Sequence, residues 1–292
     1  MPVSLRRSLF ALATSGRFER AVRATFRGEM LAYHLASRYV AGLTVDDALT
    51  TAHRLAASGV LSSIDLFGEN VADPAVAERT ADAYVDLAGR LGEGPPGTYL
   101  SLDLSHLGVD EPGAGPKQRL ARVAAALPAG SRIQVGAEQA ARADRTLATV
   151  LAVARAGGAV SATVQANLHR SEGDADALAE AGVPIRLVKG AYVEAPAVAR
   201  PWGEATNLAF VELAHRLHRG GATVYLATHD RVLREALLLA LPGVGIEMLL
   251  GVRPEDHAGL VARGVPVRVY VPYGDDWFRY AMRRAAESRG AR

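Results

Sequence analysis

The chain has 292 residues, of which 49% are hydrophobic and 22% charged, and its formal net charge is +2. These totals are ordinary for a globular enzyme of one large domain or two small ones. Cysteine is absent, which excludes disulfides, thiolate catalysis and cysteine-ligated metals. There is no dense basic block interleaved with aromatic residues, so we expect no nucleic-acid partner.

The first 58 residues are predicted to be helical. The apolar run in residues 1–20 is short and is followed by further charges, which is not typical of an export signal or a membrane span. We therefore expect a cytoplasmic protein. Ala24 to Tyr39 carries apolar side chains at helical spacing, and Thr44 is typical of a cap before a helix Ala48 to Ala57.

From Val60 onward, short apolar strands alternate with helices. The predicted strands are Val60 to Leu66, Tyr99 to Leu104, Arg132 to Val135, Ala159 to Gln165, Ile185 to Lys189, Thr223 to Ala227, Gly245 to Leu249 and Val267 to Val271. The helices between them are predicted at Pro74 to Leu91, Pro116 to Ala126, Ala137 to Ala156, Ala175 to Ala181, Asn207 to Arg219, Arg231 to Ala240 and Pro254 to Ala262.

Eight strand–helix units predict an α/β fold, a (β/α)₈ TIM-like barrel preceded by N-terminal helices. No GxGxxG follows the first strand, which disfavours a dinucleotide-binding fold. No Pro-, Ser- or Gly-rich linker separates two cores. We therefore predict a helical segment over residues 1–58 and a catalytic barrel over residues 59–292.

The last strand and helix indicate a binding site. Proline and glycine after Val271 are expected to end the strand, and one of the two aspartates that follow to cap the helix. Tyr280 and Arg284 lie one helical turn apart, as do Arg283 and Glu287. Two neighbouring guanidinium groups can bind a carboxylate or phosphate, whereas the alternative is a solvated basic helix end.

In a barrel of this kind the chemistry lies at the C-terminal ends of the strands. Nearly every predicted strand ends in a polar group: Asp65, Asp103 with His106, Glu138, Gln165 with His169, Arg186 with Lys189, Thr228 to Asp230, Glu247, and Tyr270. Lys189 could form a Schiff base or contact an anion. His229 could be a structural rim histidine. The histidines lack HxH or HExxH spacing, so no metal site is expected.

Five segments together resemble the flavin-dependent proline dehydrogenase family. They are VQA at 164–166, RLVKGAY at 186–192, ATH at 227–229, EMLLG at 247–251, and RVYVPYG at 268–274 followed by YxxRRxxE at 280–287. Their order and spacing match the family across most of the chain.

The resemblance implies a distorted barrel with FAD across the strand tips. It implies oxidation of L-proline to Δ1-pyrroline-5-carboxylate, the first step of proline catabolism, by hydride transfer from the ring carbon beside nitrogen to flavin N5. Electrons would pass to a membrane quinone or another acceptor, with peripheral contact at the inner face of the membrane. A separate Δ1-pyrroline-5-carboxylate dehydrogenase would act on the product.

The same resemblance assigns residues to roles. The implied catalytic residues are Arg186 and Tyr270. Asp103 is added to them because alternation along its strand directs it into the site. The implied substrate-binding residues are Arg283 and Arg284 on the carboxylate, Tyr192 and Leu187 around the ring, and Glu287 orienting Arg283. The implied cofactor-binding residues are Ala137, Gln165, Arg186, Lys189, Gly190, Ala191, Thr228 and His229.

Two strand tips depart from the family pattern. The family has a substrate-facing Lys where this chain has Asp103, and an Asp supporting the arginine pair where this chain has Gly136. The pocket is therefore one unit more negative. Either Asp103 supports the arginines from a neighbouring strand, or the pocket takes a larger or more cationic cyclic amino acid. Asn167 also replaces an aromatic residue usual in the family.

Alternative functions stay open at this point. A dehydrogenase of another cyclic amino acid would keep the flavin chemistry with a changed pocket. An aldolase or lyase would use Lys189 as a Schiff base. A flavin-binding protein without activity is the third alternative, since two family residues are missing.

Overall fold

The structure, a computed structural model, describes residues 16–288 and contains a closed barrel of eight parallel strands joined in chain order. The strands are β1 (Leu61–Leu66), β2 (Tyr99–Leu102), β3 (Ile133–Val135), β4 (Val160–Gln165), β5 (Ile185–Val188), β6 (Val224–Ala227), β7 (Gly245–Leu249) and β8 (Val267–Tyr273). β1 pairs with β8, for example Ile64 with Val271, which closes the barrel. The predicted (β/α)₈ architecture is confirmed.

Helices precede the barrel and alternate with its strands. They are α1 (Gly16–Arg23), α2 (Phe26–Ala36), α3 (Val45–Ala56), α4 (Pro74–Arg90), α5 (Gly115–Ala125), α6 (Ala143–Arg155), α7 (Ser171–Glu180), α8 (Glu204–Arg219), α9 (Arg231–Ala240), α10 (His257–Ala262) and α11 (Trp277–Ser288). Among residues 16–288, no helix has the length and apolar character needed to cross a bilayer.

The strands carry apolar side chains outward and polar ones inward. Arg186 of β5 forms an ion pair with Glu247 of β7 across the intervening β6, so both side chains point into the barrel. Residues that alternate with these two, such as Leu187 and Ile246, are fully buried in the main hydrophobic cluster beneath the helices. The barrel interior therefore holds charge that must be paired within the protein.

The end of the barrel opposite the strand tips is closed by Arg268 of β8. Its Nη1 donates to the carbonyl oxygens of Ser62 and Gly97, each at 2.7 Å. Its guanidinium carbon lies 3.3 Å from the centroid of the Tyr99 ring. This buried arginine stabilises the fold, as is typical of that end of a (β/α)₈ barrel.

The N-terminal helices pack against the last helix. Ala32 and Ala36 of α2 share a buried cluster with Trp277, Phe278 and Ala281 of α11. This packing holds α11, which carries the two adjacent arginines, across the mouth of the barrel. Helix α3 contributes instead to the cluster of the barrel itself, through residues 48, 49 and 52.

Several predicted bounds shift by a few residues in the structure, and three of the differences have a clear local cause. The helix expected over 24–39 is broken at Thr25, which caps α2 by accepting from the backbone N–H of Gly28 at 3.2 Å. β8 continues through Pro272 to Tyr273, because β7 pairs with β8 only as far as Tyr270 and the missing N–H of proline leaves no ladder bond broken.

The third difference lies after β3. The helix expected from Ala137 begins only at Ala143, after a 3₁₀ turn at Ala140–Arg142. The Glu138 carboxylate accepts from the backbone N–H of Ser105 at 2.9 Å, which holds this segment as a loop over the barrel mouth. The aspartates at 275 and 276 immediately precede α11. Residues 1–15, where we expected no export signal, lie outside the described residues.

Candidate active site

A buried ion pair forms the centre of the barrel mouth. Arg186 is 9% exposed and Glu247 is 4% exposed, and the Nε of the arginine donates to Oε2 of the glutamate. The Nη2 of Arg186 is buried without a hydrogen-bond partner among the described residues. The pair therefore fixes a cation in place and leaves one donor available to a bound group.

Lys189 follows β5 and pairs with Asp230, the residue that caps the N-terminus of α9. Its Nζ lies 3.0 Å from Oδ2 of Asp230, whose other oxygen accepts from the backbone N–H of Val232 at 3.1 Å. Burial alone would raise the pKa of Asp230, but the ammonium group and the backbone N–H donors hold that pKa below its usual range. A paired ammonium group is a poor Schiff-base nucleophile, which must be neutral, so the geometry does not favour the lyase alternative.

The tips of β4 and β5 hold two buried amides. Gln165 donates from Nε2 to the carbonyl oxygen of Glu138 at 2.8 Å. Asn167 is 2% exposed, and its Oδ1 has no partner within the described part of the chain. A Cβ at Gly190, which has φ +112°, would collide with this side chain, so glycine is needed there for the amide and the backbone to fit.

The β1 side of the mouth is acidic. Asp65 is 8% exposed, and burial raises its pKa to about 7 although the hydroxyl groups of Tyr270 and Ser101 donate to it and lower it. Burial also raises the pKa of Tyr270 well above its ordinary value, and the negative charge of Asp65 adds to this. A neutral tyrosine hydroxyl thus joins β1 to β8 at the mouth.

Asp103 follows β2 and lies directly over Gly136 of the next strand tip. A Cβ at Gly136 would collide with Oδ1 of Asp103, so the absence of a side chain there makes the room that the carboxylate occupies. Burial raises the pKa of Asp103 well above its usual range, and Asp65 and Glu138 raise it further. No hydrogen bond or ion pair joins this carboxylate to another described residue.

Glu138 is also buried in this acidic region but has partners. Besides the Ser105 N–H, it pairs with Arg142, whose Nη1 lies 2.8 Å from Oε1. Arg142 in turn lies 2.7 Å from a carboxylate oxygen of Asp110. This network makes Glu138 a fixed part of the loop after β3.

The last helix brings its arginines to the mouth of the barrel. The guanidinium carbon of Arg284 lies 5.5 Å from the centroid of the Tyr280 ring, and that ring lies 6.0 Å from Tyr270. Arg283 acts electrostatically on Tyr192, whose pKa is raised by burial and by nearby carboxylates. Arg283 makes no ion pair with any residue whose side chain is described, and its Nε is buried without a partner.

The structure brings most of the residues expected at the site to one end of the barrel, with one correction. Leu187 alternates with Arg186 on β5, so it faces outward into the hydrophobic cluster beneath the helices and cannot pack on a ligand in the mouth. The side chain of Glu287 lies outside the described residues, so its expected contact with Arg283 stays a prediction.

The remaining expected residues lie at strand tips. The hydroxyl oxygen of Thr228 accepts from the backbone N–H of Asp230 at 3.2 Å. The Nε2 of His229 accepts from the backbone N–H of Leu249 at 3.1 Å, which fits a rim histidine. Ala137 and Ala191 lie in the loops after β3 and β5.

The expected set of site residues omitted Asp65, Glu138 and Asn167. Asp65 and Glu138 were visible as polar residues at strand tips, and alternation with apolar neighbours gives Asp65 an inward direction. Their partners come from other strands and from a loop, which no local pattern specifies. Asn167 differs from the residue usual in the family, and its burial follows from its contact with Gly190.

The sequence model of the proline dehydrogenase family matches residues 48–292. The chain belongs to the proline dehydrogenase family. It is 33% identical over 269 residues to the proline dehydrogenase of Deinococcus radiodurans, covering 88% of this chain and 87% of that relative. It is also 33% identical over 263 residues to proline dehydrogenase 1 of Bacillus subtilis, covering 86% of each chain.

Solved structures share the fold of this proline dehydrogenase family member. Proline utilization A from Bdellovibrio bacteriovorus aligns with a TM-score of 0.81 at 20% identity, covering 97% of this chain and 36% of that one. Proline utilization A from Bradyrhizobium japonicum aligns with a TM-score of 0.75 at 21% identity, covering 91% and 32%. This chain thus spans about a third of the length of those proteins.

Within the family pattern, the two departures at the strand tips are linked in space. Gly136 stands at the third strand tip, where the resemblance implies a carboxylate, and Oδ1 of Asp103 from the second strand tip occupies the space that a side chain there would fill. Asp103 makes no ion pair with Arg283, so the expectation that it holds that arginine finds no contact to support it.

Proposed function

We propose that this protein is an FAD-dependent proline dehydrogenase that oxidises L-proline to Δ1-pyrroline-5-carboxylate. Membership of the family, with relatives of that name at 33% identity over most of the chain, supports the reaction class. The observation that carries the assignment to this site is that the cation Arg283 and the carboxylates of Asp103 and Glu138 act on the same side chain, Tyr192, at the mouth of the barrel. A zwitterion such as proline has a negative group to match the cation and a positive group to match the carboxylates.

The residues at the β4 and β5 tips fit a flavin. Arg186 offers one unpartnered buried donor, and Asn167 offers one unpartnered buried acceptor. An isoalloxazine ring has carbonyl and ring-nitrogen acceptors together with an N–H donor, so the two groups complement its polar edge. When bound, the flavin supplies the acceptor for a hydride at N5.

This chain's own residues then divide the work. Arg283 and Arg284 hold the substrate carboxylate, and Tyr192 and Tyr270 enclose the ring. Arg186, kept in position by Glu247, puts a fixed positive charge where negative charge develops during the reaction. The residues proposed to line the cofactor are Ala137, Gln165, Lys189, Gly190, Ala191, Thr228 and His229.

The partners are also proposals. Electrons would leave to a quinone or another acceptor, through peripheral contact of a cytoplasmic protein with the inner face of the membrane. The product would pass to a separate Δ1-pyrroline-5-carboxylate dehydrogenase. The catalytic unit would comprise the barrel over residues 59–292, with the preceding helices packed on it.

The test is anaerobic bleaching of the flavin absorption of the purified holoprotein. We expect L-proline to bleach it faster than hydroxyproline, pipecolate or N-substituted prolines. A matched pair of variants on α11 sharpens the result: Arg283→Met should abolish bleaching at low proline, whereas Arg279→Met, whose partner Glu19 lies 2.9 Å away on the N-terminal helix, should not.

Three outcomes would contradict the proposal in different ways. Faster bleaching by pipecolate or another cyclic amino acid would favour that substrate, which the extra negative charge at Asp103 makes the second candidate. Borohydride trapping of a substrate on Lys189 would favour a lyase. Bound flavin that no cyclic amino acid reduces would favour a protein without dehydrogenase activity.

A further inference from the structure

Asp65, Asp103 and Glu138 form the acidic wall of the barrel mouth, and their carboxylates differ in their hydrogen-bond partners. Asp65 accepts from the hydroxyl groups of Tyr270 and Ser101, and Glu138 pairs with a backbone N–H and an arginine. Asp103 lies beside both of them, and no donor for its carboxylate is found in the described structure. A carboxylate at the mouth of a site without any donor is costly unless a cation from outside completes it.

The position of Asp103 is set by the neighbouring strand. Gly136 leaves space that any other side chain would fill, and Oδ1 of Asp103 occupies that space. From there its charge acts on Tyr192 and on Tyr270, the two aromatic side chains proposed to enclose the substrate ring. Asp103 therefore shares one pocket with them and, through Tyr192, with Arg283.

We propose that Asp103 binds the ring ammonium group of the substrate and accepts its proton when the ring is oxidised. The inference rests on the proposed function and names the group that recognises the nitrogen. Arg283 and Arg284 would hold the carboxylate of a cyclic amino acid, and Asp103 would hold the opposite charge across the mouth. A zwitterion held at both ends has one orientation, which is what a positioned hydride transfer requires.

The atoms and electrons balance with the oxidant already named. An N–H bond of the ring ammonium breaks, and its proton moves to a carboxylate oxygen of Asp103. The nitrogen lone pair then forms the C=N bond as the neighbouring C–H bond breaks. The hydride leaves with two electrons to the flavin of the proposed function, and the product is a protonated cyclic imine.

The electrostatics of the acidic wall fit this role. Like-charged neighbours and burial favour the protonated, neutral form of Asp103 until a cation arrives, and an ammonium group beside it reverses that preference. Binding should therefore release a proton and tighten as the pH rises through the pKa of Asp103. The charged or titratable groups that face it are Asp65, Glu69, Tyr84, Glu138, Arg186, Tyr192 and Tyr270.

The experiment compares two ligands on the oxidised holoprotein, L-proline and tetrahydrofuran-2-carboxylate, which has oxygen in place of the ring nitrogen. The dissociation constant for proline comes from the concentration dependence of anaerobic flavin reduction, and that for the oxygen analogue from its inhibition of the same reaction. Asp103→Asn should weaken proline about tenfold to a hundredfold, the range of one charge-assisted contact, and change the oxygen analogue by less than about threefold.

A second variant tests the geometry and keeps the carboxylate. Gly136→Ala places a Cβ where Oδ1 lies, so it should reproduce the selective loss of proline affinity. The double variant Asp103→Ala/Gly136→Ala should be no worse than Asp103→Ala alone, because both act through one carboxylate. Gly173→Ala on α7, where a Cβ meets nothing within 4 Å, is the matched control.

The outcomes separate this inference from the proposed function. If wild-type protein is bleached by proline but Asp103→Asn weakens both ligands alike, or neither, the inference is wrong and the proposed function stands. If proline fails to bleach the wild-type flavin, the proposed function fails first. In wild type the preference for proline over the oxygen analogue should grow with pH, and in Asp103→Asn this dependence should vanish.

Discussion

The two sides of the barrel mouth treat charge differently. On the side of β5 and β7, each strand cation has a carboxylate partner: Arg186 pairs with Glu247, and Lys189 with Asp230. On the side of β1 to β3, Asp103 has no such partner among the residues described. Paired charges give the site a fixed field, whereas charges that the fold leaves unmatched are the ones a ligand can neutralise.

The contrast extends to the last helix. Arg283 has no ion pair with the described side chains, and its charge acts on Tyr192, as does that of Asp103. An unmatched cation and an unmatched carboxylate in one pocket complement a zwitterionic ligand.

Removing both adjacent arginines of the last helix should have the largest effect. Each charge-assisted contact contributes about 1.5–3 kcal/mol, so Arg283→Met with Arg284→Met should weaken proline by about a hundredfold to ten-thousandfold. The measurement is the concentration dependence of flavin reduction. Arg279→Met serves as the control, and equal losses in control and test variants would show that the effect comes from the folding of α11.

Breaking the ion pair between Arg186 and Glu247 should lower the free energy of unfolding. Glu247→Leu leaves the Arg186 guanidinium buried without a counter-charge, and such a loss typically costs about 3–5 kcal/mol. Urea unfolding of the holoprotein measures it. Glu255→Leu, which removes the exposed pair with Arg231, should change the free energy of unfolding by less than about 1 kcal/mol.

Asp65 should make stability depend on pH. Its pKa is about 7 in the folded protein, above the unfolded value, so its contribution is fully present below about pH 4 and is lost as the pH rises towards 7. Asp65→Asn should therefore gain stability relative to wild type at pH 8 but not at pH 4. A tenfold change in proton affinity corresponds to about 1.4 kcal/mol, so the gain should be a few kcal/mol.

Unfolding of both proteins in urea at the two pH values checks this prediction. The exposed Asp86→Asn is the control and should show no pH-dependent difference from wild type. A wild type whose stability changes between pH 4 and pH 8 by the same amount as that of Asp65→Asn would mean that Asp65 is not protonated more readily when folded.

The smallest effect is expected at the other matched pair. Lys189 and Asp230 are both partly exposed, so Lys189→Gln should cost less than about 1 kcal/mol of stability. Asp230→Ala should cost about 1 kcal/mol more, because the same carboxylate also caps α9. Equal losses in the two variants would show that the cap contributes little.

Local patterns in the sequence were enough to predict the barrel and its polar mouth. Alternating apolar and polar residues located the strands, and the same alternation, applied to β5, would have placed Leu187 outward. The resemblance carried Leu187 into the site without that test. The prediction that β8 ends at Pro272 was wrong because the effect of proline depends on which neighbouring strand still pairs there.

The contacts that define the site come from residues far apart in sequence. Asp103 sits over Gly136, and Asn167 against Gly190, and in each case the glycine makes the contact sterically feasible. Sequence reasoning identified both departures from the family pattern as separate changes. Only the packing of adjacent strand tips shows that the two changes are linked, because the glycine at 136 leaves the space that the carboxylate at 103 occupies.

The most direct test of the two-sided mouth asks which bond of proline breaks. A zwitterion held by Arg283 and Asp103 presents to the cofactor the ring methylene carbon that is bonded to nitrogen, not the carbon that bears the carboxylate. In anaerobic stopped-flow reduction of the flavin, deuterium on that carbon should slow the reaction severalfold, and deuterium on the carbon bearing the carboxylate should not. Slowing by the second label alone, or no reduction by proline at all, would contradict the account.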